Sequence, residues 1–237
     1  YRRQRQMCIR DRPAGVELRV QTGELLQDDC FYRDNLRTAL SKYRYISTGK
    51  KAFIRPIATF YGFRYIKFSG VADLTGITDI QAWALYSDLE QTGEITTANE
   101  KVNRLYLNSV WSQRDNFLDV PTDCPQRDER MGWTGDIAVF APTAAFNFDM
   151  NRFLDKWLLD VQAEQLPTGG LPNTVPVQGY GFPATMPKMA VAWWGDACVL
   201  VPWAQYMAQG DVGVLRRMYP TCLLYTSPSP RDTERSR

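Results

Sequence analysis

The chain has no histidine among its 237 residues. That excludes Ser-His-Asp and Cys-His nucleophile pairs and His-ligated zinc within it. Cysteine is scarce as well: Cys8 and Cys222 lie in the two end segments, leaving Cys30, Cys124 and Cys198. An odd, sparse set supplies no disulfide framework, so Cys124 reads as a small packing residue. No uninterrupted apolar run of about 18 residues occurs, so no segment is expected to span a membrane. No Asp-x-Asp-x-Asp-Gly spacing appears, which weakens an acid-cluster calcium site. The expectation is a chain without metal or cofactor.

An excess of charge is missing too, once the ends are considered. Residues 1–12 and 222–237 are rich in Arg, Ser and Pro and carry no helical or strand periodicity. Met7 to Asp11 and Cys222 to Asp232 resemble the two orientations of a translated sequencing adapter, and both segments are set apart from the fold as an artefact. The two ends hold eight Arg against three acids, so the +2 of the whole chain leaves −3 for residues 13–221. The basic balance that would suggest nucleic acid or an anionic membrane surface therefore belongs to the ends. The remaining body is long enough for a sizeable core or two modules. Its length and composition leave oligomeric state and compartment open, and no signal peptide is visible.

Residues 16–92 carry short β-branched and aromatic runs broken by Gly and Pro, with strands expected at 16–20, 52–56, 59–69 and 78–86. Gly62-Phe-Arg-Tyr-Ile-Lys-Phe68 has apolar residues on both faces, as in a sandwich strand covered on one side and partly on the other. The pattern changes at Thr97-Ala-Asn-Glu100, which fits a capping box opening a helix to about Arg114. Ile137 to Phe148 and Asn151 to Gln162 read as a helical pair, the second amphipathic through Phe153, Leu154, Trp157, Leu158 and Val161. A loop with Gly169, Gly170, Pro167, Pro172, Pro176 and Pro183 leads to Trp193-Trp194-Gly-Asp-Ala197. A further helix runs through Pro202 to about Met207, and Asp211 caps a last one ending at Tyr219. Strands followed by successive antiparallel helices indicate a multidomain β + α chain, a β domain and then an α/α domain.

Between helices lies the polar stretch Asp123-Cys-Pro-Gln-Arg-Asp-Glu-Arg-Met-Gly-Trp-Thr-Gly-Asp136, with four acids, two arginines and a tryptophan. Pro121, Gly132 and Gly135 make its backbone irregular, and irregular backbone on a rigid scaffold is where chemistry concentrates. Carboxylates as crowded as Asp123, Asp128, Glu129 and Asp136 disfavour a further negative charge, so one of them can be kept protonated. Arg127 and Asp136 can hydrogen-bond hydroxyl groups, and Trp133 offers a flat apolar face. The structural alternative is a salt-bridged turn, with Asp128 and Arg130 as mutually paired supports.

The stretch from Asp119 to Asp136 resembles the signature of the bacterial α-L-rhamnosidases, glycoside hydrolase family 78. Tyr61-Gly-Phe-Arg-Tyr65 with Gly70, Gly170-Leu-Pro-Asn173 and Trp194-Gly-Asp-Ala197 extend the resemblance over nearly all of residues 16–220. It implies a partial β-sandwich (13–93) followed by the first part of an (α/α) six-hairpin barrel (94–221), in an inverting enzyme that removes terminal α-L-rhamnose from a rhamnose-containing carbohydrate. Position by position, Glu129 matches the general acid and Asp123, Arg127, Trp133 and Asp136 match residues that hold the sugar. Trp194 matches a pocket wall, with Trp193 as the alternative for that place. The family's catalytic base, a downstream glutamate, and a pocket histidine have no counterpart here, so the chain by itself is expected to be inactive. The competing reading is a carbohydrate-binding or structural module in which the acids and Trp133 only grip sugar.

Overall fold

The computed structural model describes residues 2–9, by backbone alone, together with 12–178 and 193–226. Pro183 and residues 227–237 of the second end segment lie outside the described residues. The chain divides into two compact units. Unit 1 is Tyr1–Ser87, Trp111–Leu118 and Cys124–Arg130; unit 2 is Asp88–Val110, Asp119–Asp123 and Met131–Arg237.

Unit 1 is built from β1 (Arg2–Ile9), β2 (Glu17–Gly23), β3 (Leu25–Gln27), β4 (Cys30–Tyr32), β5 (Lys42–Ile46), β6 (Ala52–Ile54), β7 (Tyr61–Gly62), β8 (Tyr65–Ser69) and β9 (Ile77–Ala84). β2 alternates: Leu18, Val20 and Thr22 are buried, while Arg19 between them is exposed. The period of two sends one side of the strand to the core and the other to water. β2 pairs antiparallel with β5 and β8, so Val20 lies between Tyr43 and Phe68. Leu18 and Val20 pack with Ile54 of β6, and Tyr43, Tyr45, Ile66, Phe68 and Ile77 close round them. Because Ile54 and Ile77 come from the sheet in which β1 pairs β6, β7 and β9, two sheets share this core as a sandwich. Each fully buried Leu or Val contributes about 1.5–3 kcal/mol. On the outer face Glu17 pairs with Arg19 and Arg44.

β1 corrects the expectation that residues 1–12 stand outside the fold. Pairing is made by main-chain N–H and C=O groups, so a strand whose side chains lack periodicity is held by β6 and β7 on one side and β9 on the other. Arg12 belongs to the fold as well, donating to the carbonyls of Asp73 (2.7 Å) and Thr75 (2.6 Å) and to Asp73 Oδ1 (2.8 Å). The β3–β4 hairpin and β5 were not anticipated. The hairpin is three residues a side, too short for a repeat to register, whereas the alternating Tyr43 and Tyr45 of β5 were a readable signal.

The helices are α1 (Glu100–Asn116), α2 (Thr134–Asn147), α3 (Asn151–Glu164), α4 (Ala197–Gln209) and α5 (Val212–Thr226). Asn99 rather than Thr97 caps α1, its Oδ1 accepting the Lys101 N–H at 3.0 Å. Thr97 is held in the preceding loop, its amide and hydroxyl bonded to Asn103 Oδ1, so the capping-box reading places the cap too early in the chain. In unit 2, α2 packs on α4, whose buried faces are lined largely by small residues: Ala138, Ala141, Ala144 and Ala145 on one, Ala197, Cys198 and Ala204 on the other. Small side chains let helix axes approach closely. α3 buries the five residues expected of it. α4 ends on Gly210 in the left-handed region (φ 71°), and Asp211 then accepts the Gly213 N–H at 2.7 Å to start α5.

α5 does not stop at Tyr219 but continues through Pro220 to Thr226, into the segment set apart by composition. A proline removes one helical hydrogen bond. Tertiary contacts offset it here: the Gln165 side chain donates to the Thr221 carbonyl (3.0 Å) and the Tyr225 hydroxyl to Asp196 Oδ1 (2.9 Å).

Candidate active site

The polar stretch is divided between the units. Asp119–Asp123 and the chain from Met131 onward belong to unit 2, and the seven residues between them belong to unit 1. In unit 2 the neck of this excursion is tied by Asp123. Its N–H donates to the Met131 carbonyl at 3.1 Å, and its Oδ1 accepts the Met131 N–H at 3.0 Å. Asp123 therefore has a structural duty at this turn, which a reading of it as a sugar ligand alone overlooks.

From Met131 the chain enters α2 by a short antiparallel clip. Thr134 donates its N–H to the Asn173 carbonyl (2.9 Å), the Val175 N–H donates to the Gly132 carbonyl (2.8 Å), and Trp133 faces Thr174 between them. Gly132 is required by this approach, because a Cβ there would lie 2.1 Å from the Val175 carbonyl oxygen. The clip sets Trp133 at the N-cap of α2, half-buried, and Asp136 in its first turn, exposed. An acid there also complements the positive end of the helix dipole, so Asp136 has a stabilising role apart from any ligand.

Trp194 comes to the same place. A Cβ on Gly135 would meet Trp194 Cδ2 and Cε2 at 2.9 Å, so the indole lies directly over the α2 backbone. Trp193, by contrast, is 64% exposed with φ 80°. Of the two tryptophans it is Trp194 that covers Gly135, the residue between Trp133 and Asp136 at the start of α2. The buried indole N–H groups of Trp133 and Trp194 have no acceptor among the described residues.

In unit 1, Arg127, Asp128 and Glu129 form an ion-pair network whose hub was not foreseen. Arg37 donates from Nε to Asp128 Oδ1 at 2.6 Å and from Nη2 to Glu129 Oε2 at 3.1 Å. Arg127 reaches the same Oε2 from Nε (3.1 Å) and Nη2 (2.9 Å). The Thr38 hydroxyl donates to Asp128 Oδ2. That hydroxyl first, and Arg37 after it, holds the Asp128 carboxyl below the usual carboxylate range, against the opposing pull of burial. Glu129 is met in unit 1 by the guanidiniums of Arg37 and Arg127. One expectation changes. Asp128 pairs with Arg37, not with its neighbour Arg130, which turns away (φ 56°) to the Phe60 carbonyl and ring. A neighbour in sequence is not a neighbour in space when the backbone reverses between them. Arg37 and Thr38 lie about 90 residues from their partners, and no local pattern could have flagged them.

The rest of the excursion is packed rather than catalytic in character. Cys124 is buried and is not in a disulfide. Gly62 lies so close that a Cβ would sit 2.8 Å from Gln126 Cβ, which explains the glycine of Tyr61-Gly-Phe-Arg-Tyr65.

The arrangement matches known proteins. The model of the bacterial α-L-rhamnosidase concanavalin-like domain matches residues 6–86, and that of the bacterial α-L-rhamnosidase six-hairpin glycosidase domain matches residues 90–235. An α-L-rhamnosidase of Formosa agariphila is 41% identical over 210 residues, covering 86% of this chain and 22% of that protein. One from Streptomyces avermitilis is 40% identical over 210 residues, covering 88% and 20%. The chain thus spans about a fifth of the length of these relatives. A crystal structure of the Streptomyces avermitilis α-L-rhamnosidase complexed with L-rhamnose superposes with a TM-score of 0.83 at 38% identity, covering 94% of this chain and 21% of that one.

Proposed function

The chain belongs to the bacterial α-L-rhamnosidase family, and on that premise we propose that the protein carrying it hydrolyses terminal α-L-rhamnose from glycosides or polysaccharides with inversion. Glu129 is the general acid. It gives its proton to the glycosidic oxygen as the bond to the sugar carbon lengthens, so that the aglycone leaves as a neutral alcohol. A second carboxylate then takes a proton from water attacking the opposite face of an oxocarbenium-like centre. That base is contributed by sequence outside this chain.

Asp123, Arg127, Trp133, Asp136 and Trp194 hold the rhamnose. The observation that carries this reading is the placing of Trp194 over Gly135, beside Trp133 at the start of α2. Two indoles give a 6-deoxysugar an apolar wall for its methyl and ring face. Asp136 and Arg127 supply an acceptor and donors for the remaining hydroxyls.

Glu129→Gln in the complete protein tests the assignment. Turnover of rhamnosides with poor alcohol leaving groups is expected to fall by roughly 10²- to 10⁴-fold, the usual share of one general acid. An aryl rhamnoside with an activated leaving group needs little protonation and is expected to lose less. Equal losses on both would remove Glu129 from the role.

A further inference from the structure

Among the groups left unused by this reading, the strongest is the turn that carries Arg37. A one-turn 3₁₀ helix, Asp34–Leu36, is pinned by the fully buried Leu36 and by the Asn35 side chain donating to Glu24 Oε2 at 3.0 Å. Arg33 ties the far side, donating to the carbonyls of Ala39 and Leu40. The chain then leaves through Arg37 at φ 54° and ψ −120°, with the Arg37 N–H still bonded to the Asp34 carbonyl at 3.0 Å. A non-glycine residue in that region is strained, and such strain persists where the surroundings over-determine the conformation. Its result is that one guanidinium spans both Asp128 Oδ1 and Glu129 Oε2.

We propose that Arg37, from the β unit, is a positioning residue for the general acid, an inference that rests on the rhamnosidase reading above. The guanidiniums of Arg37 and Arg127 converge on a single oxygen of Glu129, Oε2. Hydrogen-bond donors on one oxygen of a carboxylic acid fix it as the carbonyl-type acceptor and leave the other, Oε1, to bear the proton. Arg37 thereby selects the oxygen that delivers the proton and sets the plane of the carboxyl group. Asp128, held by Arg37 and Thr38, is the counter-anchor that keeps the guanidinium from following its own long stem into solvent. Arg127 comes from the same loop as Glu129, so it moves with the acid rather than locating it.

The test uses the complete protein carrying this chain, an alkyl rhamnoside and an activated aryl rhamnoside. Arg37→Met keeps the stem and removes the fork. The expected result is a loss of kcat/KM of about 10- to 100-fold on the alkyl substrate, the scale of misplacing a catalytic group by about 1 Å. The aryl substrate, which does not depend on the proton, is expected to stay within a few-fold of the parent. Arg37→Lys retains the charge and most of the length but cannot span two carboxylates, so it shows the same bias with a smaller loss. It also serves as the readout should Arg37→Met not fold. A parent protein inactive on both substrates would overturn the rhamnosidase reading and this inference with it. An active parent whose Arg37 variants lose nothing, or lose equally on both substrates, would overturn the inference alone.

Discussion

Gly135→Ala offers a measured displacement of one side chain. The added methyl would lie 2.9 Å from Trp194 Cδ2 and Cε2 and 3.0 Å from its Nε1, closer than carbon atoms tolerate. The neighbour is a side chain, so the indole moves by several tenths of an ångström and the helix stays where it is. Overpacking of this kind costs about 1–3 kcal/mol. Against it stands the gain from replacing glycine with alanine in a helix, at most about 1 kcal/mol. The clash wins narrowly, and a loss of about 1 kcal/mol in stability is expected. The larger effect falls on sugar binding. Displacing an aromatic wall removes about 0.5–1.5 kcal/mol of ring contact, a weakening of L-rhamnose affinity of about 2- to 10-fold. Gly132→Ala is the contrast, because its methyl would meet the Val175 carbonyl oxygen at 2.1 Å, and that oxygen also accepts the Trp157 Nε1–H at 3.1 Å. Backbone held on two sides cannot give way, so this variant is expected to lose more than 3 kcal/mol and to accumulate poorly. Calorimetric titration with L-rhamnose and thermal unfolding of both variants in the complete protein check the order. A Gly135→Ala protein with parental affinity would refute the placement of Trp194 in the sugar site.

Trp133→Ala is expected to weaken L-rhamnose binding chiefly through lost apolar contact, with the fold retained; unchanged affinity by the same titration takes Trp133 out of the pocket. The chain expressed alone is expected to show no turnover on an aryl rhamnoside and to self-associate. Val139, Phe146, Trp203 and Met207 stand about half or more exposed on α2 and α4, an apolar face larger than soluble monomers tolerate; size-exclusion chromatography with the assay decides, and a sharp monomeric peak with turnover contradicts both halves. The Asp128 carboxyl is held low in the folded state, so its contribution to stability is complete above its unfolded pKa of about 3.9 and is lost as pH falls through the lower folded value. The stability difference between parent and Asp128→Asn is therefore expected to be constant at neutral pH and to shrink below about pH 4; a difference that does not change with pH removes the ion pair as its cause.

The order of β and α segments, the amphipathic face of α3, the Gly210-Asp211 stop and start, and the identity of the long polar signature were legible in the sequence. Each depends on interactions within a few residues, where spacing maps directly onto a face or a cap. The hub at Arg37, the placing of Trp194 over Gly135 and the duty of Asp123 at the loop neck came only with the tertiary structure. Arg37 meets Glu129 across 92 positions, and Trp194 is set over Gly135 by the packing of α4 on α2. β1 and the last turn of α5 carry the same lesson in reverse: composition argued against both, and sheet pairing and side-chain contacts from distant segments settled them. Sequence periodicity reports which face of an element avoids water. It does not report which other element arrives to cover that face, and in this chain that arrival sets the geometry around the candidate acid.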